Sequence, residues 1–563
     1  MTSGTGKTLI LVSSGVRRAW VAQKLLELPA GASSDIWVPE SEADFYRRKL
    51  EPRCSLTVYP DEGLRVSAIP RGYSQCVLFL KPPWGGRCRR LRWAALRCGA
   101  RRFTVLTSPL QTACTVGRLG LLLNGLLAEC ADVLVPSLAK LFLAIQLWRA
   151  RGTARRPAAP EIRSVAFLIG TLGMGGAERQ LLALATGLKR QDVEVHLLLF
   201  SPEDDFFKER AERAGLTLWD VREYDELPDG TKRWARMFET TPEWCELGKV
   251  LRIAAWLKQH PVDVFNPMMD QPNFIGGLAG RLAGVPLICG GLRSSSPKDY
   301  AGPTLPTLRR WYRRTLWAFD GFIANSHRGA DGFAAWAEYE RSRICVVPNG
   351  IDATTFTPAQ DEEVAHVRAE LNLAPDLPVL VFAGRLTWEK RVEDYLECCR
   401  ILKAQGRTFQ ALVAGGGPQQ DALKHRAQEL GLDDCVRFLG PRKDVAALYR
   451  LARVVMLTSS VEGFPNAVLE AQWSGMPVVS TDAGDVRRII EEGVTGFIVP
   501  VGDMEAAAKH VARLIDDTDL ARRMGKAGSL RVRKLFPVER LVEQTLEVYR
   551  CLTERRSLTE AAR

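Results

Sequence analysis

Histidine is scarce in this chain: six in 563 residues, widely separated. A protein metal centre needs clustered His, Cys and acidic ligands, and the histidines offer no such cluster. The 13 cysteines do not repair this, because they are scattered and no Cys-x2-Cys pair occurs. That excludes a zinc-ribbon pattern and a secreted disulfide framework, and it leaves free thiols in a reducing cytoplasm as the expectation. No metal and no cofactor is expected. Long apolar runs are missing too. Residues 119–148 are the most apolar stretch, yet Arg118, Glu129, Asp132 and Lys140 interrupt it, so no run reaches the ~18 uncharged residues of a membrane span. The amino terminus has no apolar core of about 7–15 residues, so no signal peptide is expected. Gly4-Thr-Gly-Lys-Thr8 is not a P-loop: Met1 stands where the first glycine belongs, and the strand-like run follows the motif.

Charge is uneven. Residues 1–160 hold 24 Lys/Arg against 10 Asp/Glu, a net of +14, while the rest of the chain nets −2 of the formal +12. Such a basic block attracts anionic lipid, nucleic acid or an acidic glycan. Over residues 87–102 the cations alternate with Trp and Leu, a pattern of interfacial segments that favours an anionic membrane surface over nucleic acid. The competing reading is an ordinary small α/β domain with a basic surface, supported by strand-like runs at 9–12, 77–80 and 103–106. Residues 150–160 read as a linker, and the length favours three domains over one.

The carboxyl half carries the chemistry. Apolar runs at 377–383, 409–414, 436–440, 454–457, 477–480 and 496–500 alternate with helical periodicity at about 420–430 and 445–451. Strands alternating with helices imply a parallel, doubly wound sheet, and such sheets bind ligands at strand carboxyl ends. Gly384-Arg385 and Lys390, Gly415-Gly-Gly-Pro418 and Glu462 all follow strands. Arg offers a planar fork and Lys a point charge to a diphosphate. In Ser459-Ser-Val-Glu-Gly-Phe-Pro-Asn-Ala-Val-Leu-Glu470, Pro465 suits the first position of a helix that ends near Gly475. Glu462 then lies in the loop, and Glu470 about one turn in. A helix N-terminus favours phosphate, whereas carboxylates accept hydrogen bonds from hydroxyls. A ligand with a central diphosphate and hydroxylated rings at both ends, a nucleotide sugar, fits both. In isolation, two glutamates at a helix start would be ordinary surface acids.

The middle of the chain repeats the alternation, with strand-like runs at 164–169, 193–200, 262–265, 285–289, 321–326 and 344–352. Gly173-Met-Gly-Gly-Ala-Glu-Arg-Gln180 follows the first and opens a helix. Glycines at such a turn let backbone approach phosphate. Residues 538–552 read as an amphipathic carboxyl-terminal helix.

Taken in order, Gly-Gly-Ala-Glu after the first strand, Gly384-Arg385 with Lys390, the Gly-Gly-Gly-Pro turn, Val436-Arg-Phe-Leu-Gly440, the Glu462 to Glu470 run and Gly493-Val-Thr-Gly-Phe-Ile-Val-Pro500 resemble the family 4 retaining glycosyltransferases, of the bacterial surface-polysaccharide type. The likeness covers about 160–555. It implies the α/β GT-B fold, two Rossmann-like domains facing a cleft, here with an additional basic N-terminal α/β region. The expected division is 1–155 for that region, 160–360 for the acceptor domain, 361–535 for the donor domain, and 536–563 for a helix crossing back, with its tail. The resemblance implies that Arg385 and Lys390 bind the donor diphosphate, Glu462 meets the transferred sugar at the reaction centre and Glu470 holds the ribose. It further implies donor contacts from Gly175 and Gly176, and from backbone at Gly463, Phe464, Pro465, Asn466, Val468 and Leu469. Many members carry histidines where this chain has Asn266 and Arg293; Arg293 is either an acceptor-side or charge-stabilising group or an ordinary loop arginine. The implied activity is hexosyl transfer, with retention, from a nucleoside-diphosphate sugar to a glycan or lipid-linked acceptor in surface polysaccharide or glycolipid synthesis. The implied location is the cytoplasm, where the basic region would bring the protein to the inner membrane face. The alternatives are a GT-B nucleotide-sugar epimerase and a catalytically silent nucleotide-sugar-binding subunit.

Overall fold

The computed structural model describes residues 142–157, 159, 161–200, 206–222, 232, 245–300, 302–354 and 356–561, together with six strands between Thr8 and Val116. The basic segment 87–101 and residues 119–141 lie outside the described residues. The chain forms two compact units, Met1–Arg149 with Leu227–Leu251, and Ala150–Glu226 with Arg252–Arg563.

In the first unit, strands β1 (Thr8–Val12), β2 (Ser34–Pro39), β3 (Ser55–Tyr59), β4 (Gln75–Leu80), β5 (Arg102–Thr107) and β6 (Thr112–Val116) form one sheet of order β3-β2-β1-β4-β5-β6. All pairs are parallel except β5 with β6. The sequence shows three of these strands plainly, within β1, β4 and β5. It hides β2, β3 and β6, which mix Ser, Asp and Thr among their apolar residues.

The second unit holds two parallel sheets. Strands β7 (Ser164–Ile169), β8 (Glu194–Leu199), β9 (Thr217–Asp220), β10 (Val264–Pro267), β11 (Leu287–Leu292), β12 (Gly321–Ala324) and β13 (Ile344–Val346) take the order β13-β12-β11-β10-β7-β8-β9. Strands β14 (Val379–Ala383), β15 (Gln410–Ala414), β16 (Val436–Gly440), β17 (Val454–Leu457), β18 (Val478–Thr481) and β19 (Gly496–Val499) take the order β16-β15-β14-β17-β18-β19. Helices cover both faces, so the central strands are buried on both sides and read as continuous apolar runs; Val165 to Ile169 and Val379 to Phe382 are at most 1% exposed. In each sheet the strand order reverses once, between β7 and β10 and between β14 and β17. Doubly wound sheets open a ligand crevice at such switch points. The loops after those four strands carry the Gly-rich turn, Met269-Asp270, Arg385 with Lys390, and Glu462.

Five helices position the site: α1 (Gly176–Lys189), α2 (Asp270–Ala283), α3 (His327–Ala337), α4 (Asn466–Trp473) and α5 (Val538–Ala561). Helix α5 is longer than the periodic stretch read from sequence. It lies on α1, and its Val538, Leu541, Val542, Leu546, Tyr549 and Leu552 join the core of the β7–β13 sheet. At the crossing a Cβ on Gly187 would sit 2.5 Å from Val542 Cγ2. The chain enters α5 through a backbone bridge, Ile351 N donating to Phe536 O (2.9 Å) and Val538 N to Ile351 O (3.0 Å). No helix among the described residues is long and apolar enough to cross a membrane, and the described cysteines are free thiols.

Candidate functional site

The two sheets of the second unit face each other across a cavity of about 460 Å³, a volume within the usual range of small-molecule sites. Gly175, Gly176, Arg293, Arg385, Lys390, Glu462, Gly463, Phe464, Pro465, Asn466 and Glu470 all line it. Val468 and Leu469 do not: their side chains are buried in the core beneath α4. Leu469 N is also bonded to Pro465 O, so of the two only the Val468 N–H stands among the unpaired donors of the first helical turn. Pro465 is the N-cap of α4 rather than its first helical residue. Its extended backbone ends the loop, and Asn466 starts the helix one position later than the sequence suggests.

The Glu462 loop is held by several bonds. Lys390 Nζ donates to Glu462 Oε1 at 2.6 Å, and Ser459 Oγ donates to the same oxygen at 2.8 Å. Thr458 Oγ1 donates to Lys390 O at 3.0 Å, and Ser460 N to Glu389 O at 2.8 Å. The two loops at the β14/β17 switch are therefore stapled together by both side chains and backbone. Arg385 stands exposed on the same wall, with no ion pair among the described residues. The Gly-rich turn after β15 closes the wall: Gly415 has φ +146°, and a Cβ there would lie 1.8 Å from Gly384 O, so no other residue fits.

Glu470 is buried, and Arg179 of α1 reaches across the cleft to pair with its Oε1. The charge of Glu470, opposed by burial and helped by the hydrogen bond between them, holds the Arg179 guanidinium above its ordinary pKa. Sequence reasoning passed over Arg179, although it follows directly on the Gly-Gly-Ala-Glu motif. Asn466 joins the same seam. Its Oδ1 accepts from Asn349 Nδ2 (2.8 Å) and Gln180 Nε2 (3.1 Å), while its Nδ2 donates to Gly176 O (3.1 Å). Further along, the Asp485 carboxylate accepts from His327 N (2.7 Å) and Arg328 N (3.2 Å), capping α3 of the opposite sheet.

The other wall follows β10 and β11. Asp270 accepts from Tyr300 Oη (2.6 Å) and Tyr312 Oη (2.9 Å); burial raises its carboxyl pKa and these two bonds oppose the rise. Met269, beside it, has φ +75°, a strained value for a non-glycine residue. Arg293 sits deep in this wall, and burial lowers its guanidinium to about 10. Asn266, by contrast, is structural: it is buried, accepts from Tyr549 Oη at 2.8 Å and donates to Cys289 O at 2.5 Å. None of the six histidines lines the cleft.

Chemically, the donor-side wall brings together Arg385, without an ion pair among the described residues, the paired Lys390, an anion-favouring helix N-terminus and the carboxylates of Glu462 and Glu470. Among the described residues no group of His, Cys, Asp and Glu is arranged to hold a metal ion.

Residues 174–355 match the family described as Glycosyltransferase Family 4, and residues 364–531 match Glycosyl transferases group 1. A D-inositol 3-phosphate glycosyltransferase of Nocardioides sp. is 31% identical over 324 residues, covering 54% of this chain and 70% of that protein. The Vi polysaccharide biosynthesis protein VipC/TviE of Salmonella typhi is 27% identical over 382 residues, covering 62% and 65%. The chain spans about half the length of several other D-inositol 3-phosphate glycosyltransferases that it matches. Among solved structures, Anabaena Alr3699/HepE in complex with UDP-glucose superposes with a TM-score of 0.57 at 23% identity, covering 68% of this chain and 98% of that one. At that identity the likeness concerns the fold: two Rossmann-like sheets in the GT-B arrangement.

Proposed function

The chain belongs to the family 4 glycosyltransferases, and from that premise we propose that it is a retaining enzyme that moves a hexose from a nucleoside-diphosphate sugar to a glycan or lipid-linked acceptor in surface polysaccharide or glycolipid synthesis. The observation that carries the reading is the gathering of Arg385, Lys390, the α4 N-terminus, Glu462 and Glu470 around one cavity. In this reading residues 160–360 supply the acceptor half and 361–535 the donor half, 536–563 pack back on the acceptor half, and 1–155 are an addition that serves an anionic membrane surface. The surface-glycan assignment draws on the relative named for Vi polysaccharide biosynthesis.

The mechanism follows from charge. As the bond from the anomeric carbon to the diphosphate oxygen breaks, the electron pair leaves with the diphosphate. Arg385, Lys390 and the N–H groups of Asn466, Ala467 and Val468 supply positive potential aimed at that leaving group. The acceptor hydroxyl then bonds to the anomeric carbon on the same face, and its proton passes to the departing phosphate oxygen. No protein nucleophile is needed. Lys390 is paired with Glu462. A bound diphosphate competes for Lys390 and frees the carboxylate to face the developing positive charge on the sugar. Glu470 accepts from the ribose hydroxyls.

The test is calorimetric titration of UDP-, GDP-, ADP- and CMP-sugars into the wild-type protein and Arg385→Ala. Selective binding of one diphosphate sugar, weakened at least about tenfold in the variant, is expected. Binding to none of them would refute the donor site, whereas selective binding without turnover would favour the silent-subunit alternative.

A further inference from the structure

We propose that the cleft wall after β11 is a subsite for an oxyanion carried by the acceptor, a sugar carboxylate or a phosphate ester, with Arg293 as its principal ligand and Ser295 beside it. That the anion belongs to an acceptor rests on the proposed transfer reaction; the existence of the anion site does not.

Strand β11 runs buried to Leu292, and the chain then turns into the cavity, which Arg293, Ser294 and Ser295 all line. The backbone is pinned there, with Asn325 Nδ2 donating to Arg293 O at 3.4 Å. The guanidinium is not satisfied. Nη2 reaches only the Met268 thioether at 3.7 Å, a weak acceptor. Nε and Nη1 are buried with no hydrogen-bond partner, and so is Ser295 Oγ. Arg293 forms no ion pair among the described residues.

Burial of an arginine in this state is costly, because its donors have given up water without gaining acceptors and its charge lies in the interior without a counter-charge. Carboxylates nearby do not relieve it. Asp270, on the same wall, takes both of its bonds from Tyr300 and Tyr312, Glu462 is held by Lys390, and Glu470 by Arg179. A guanidinium and a hydroxyl, both with buried donors that lack partners and both on residues that line one cavity, form the donor set that a planar carboxylate or a phosphate oxygen fills. The location fits the acceptor. Arg385 and Lys390 belong to the facing β14–β19 sheet, whereas Arg293 is on the β7–β13 side. It is still close to the reaction centre, because the Asn325 amide that pins it packs against Gly463.

The experiment titrates three probes into the full chain in the presence of UDP: methyl glucuronide, myo-inositol 1-phosphate and neutral methyl glucoside. The wild type should bind at least one anionic probe about tenfold or more tightly than the neutral one, and the preferred probe decides between carboxylate and phosphate. In Arg293→Met the preference should vanish while UDP affinity is kept. Arg293→Lys, which retains charge but not the fork, should keep part of it and serves if the Met variant does not fold. Equal binding of the three probes by the wild type, or a preference unchanged in the folded variants, overturns the proposal. UDP binding is read in the same titrations. Its absence would count against a UDP-sugar donor, whereas the subsite stands or falls on the anion preference alone.

Discussion

Replacing Glu470 with Gln tests the donor half of the site with little change of shape. The side chain is 5% exposed and paired to Arg179. A hydrogen bond from a ribose hydroxyl to a carboxylate contributes about 1.5–3 kcal/mol, and one to a neutral amide oxygen about 0.5–1.5. Two hydroxyls meeting Gln in place of Glu should therefore lose roughly 2–3 kcal/mol. Part of this is returned. Arg179 competes with the ribose for the Glu470 carboxylate, and the Gln variant weakens that competitor. Because the Arg179 side chain is 27% exposed, solvent screening limits the returned part to about 1 kcal/mol or less. The net expectation is donor affinity about 5- to 150-fold weaker. The assay is calorimetry with the selected nucleoside diphosphate and its 2′,3′-dideoxy analogue. The wild type should discriminate between them at least about fivefold more strongly than Glu470→Gln does. If the variant discriminates as the wild type does, Glu470 does not hold the ribose.

Other outcomes follow from the same geometry. Glu462→Ala should lower turnover by about a hundredfold or more without weakening donor binding, because it frees Lys390 for the diphosphate; steady-state kinetics beside calorimetry separates the two, and unchanged turnover removes Glu462 from the reaction centre. Gly187→Val places methyl groups where Val542 already lies, so α5 should lift from α1 and stability should fall by about 1–3 kcal/mol, read by thermal melting; an unaltered midpoint would contradict that packing. His510 stacks on Phe497 at 4.1 Å, and burial lowers its pKa, helped by Lys509 and Arg513 and opposed by Glu492. The unfolded chain then binds the proton more readily, so this contribution to stability is present above the ordinary histidine value near 6.5 and is lost as pH falls through the lowered value. His510→Phe, which keeps the stack, should flatten the fall of the melting midpoint between about pH 7 and pH 5, and an identical slope would refute the assignment.

Much of this fold is legible because parallel strands covered on both faces must be apolar throughout. Val379–Ala383, Gln410–Ala414 and Val454–Leu457 announce themselves in that way, and loops at their carboxyl ends are where ligand groups belong. Strands with one mixed face, such as Thr112–Val116 and Thr217–Asp220, carry no such run and pass unnoticed. The site is legible only within each motif. What joins the two halves is invisible locally: Arg179 meets Glu470 across 291 positions, and Asp485 caps α3 across 158. Single residues of ordinary type bring those elements together, and no periodicity marks them. Asn266 and Arg293 show the same limit. Both stand near strand ends and both replace expected histidines, yet Asn266 is sealed under Tyr549 and Arg293 lines the cleft, a difference no local pattern marks.

The most direct test of the central claim is proton NMR of the first-formed product when the enzyme turns over its selected nucleotide sugar with an acceptor or, slowly, with water. Retention predicts that the new anomeric centre appears first in the configuration of the donor, with Glu462→Ala slowing its appearance. An initial product of opposite configuration would contradict same-face transfer in this cleft.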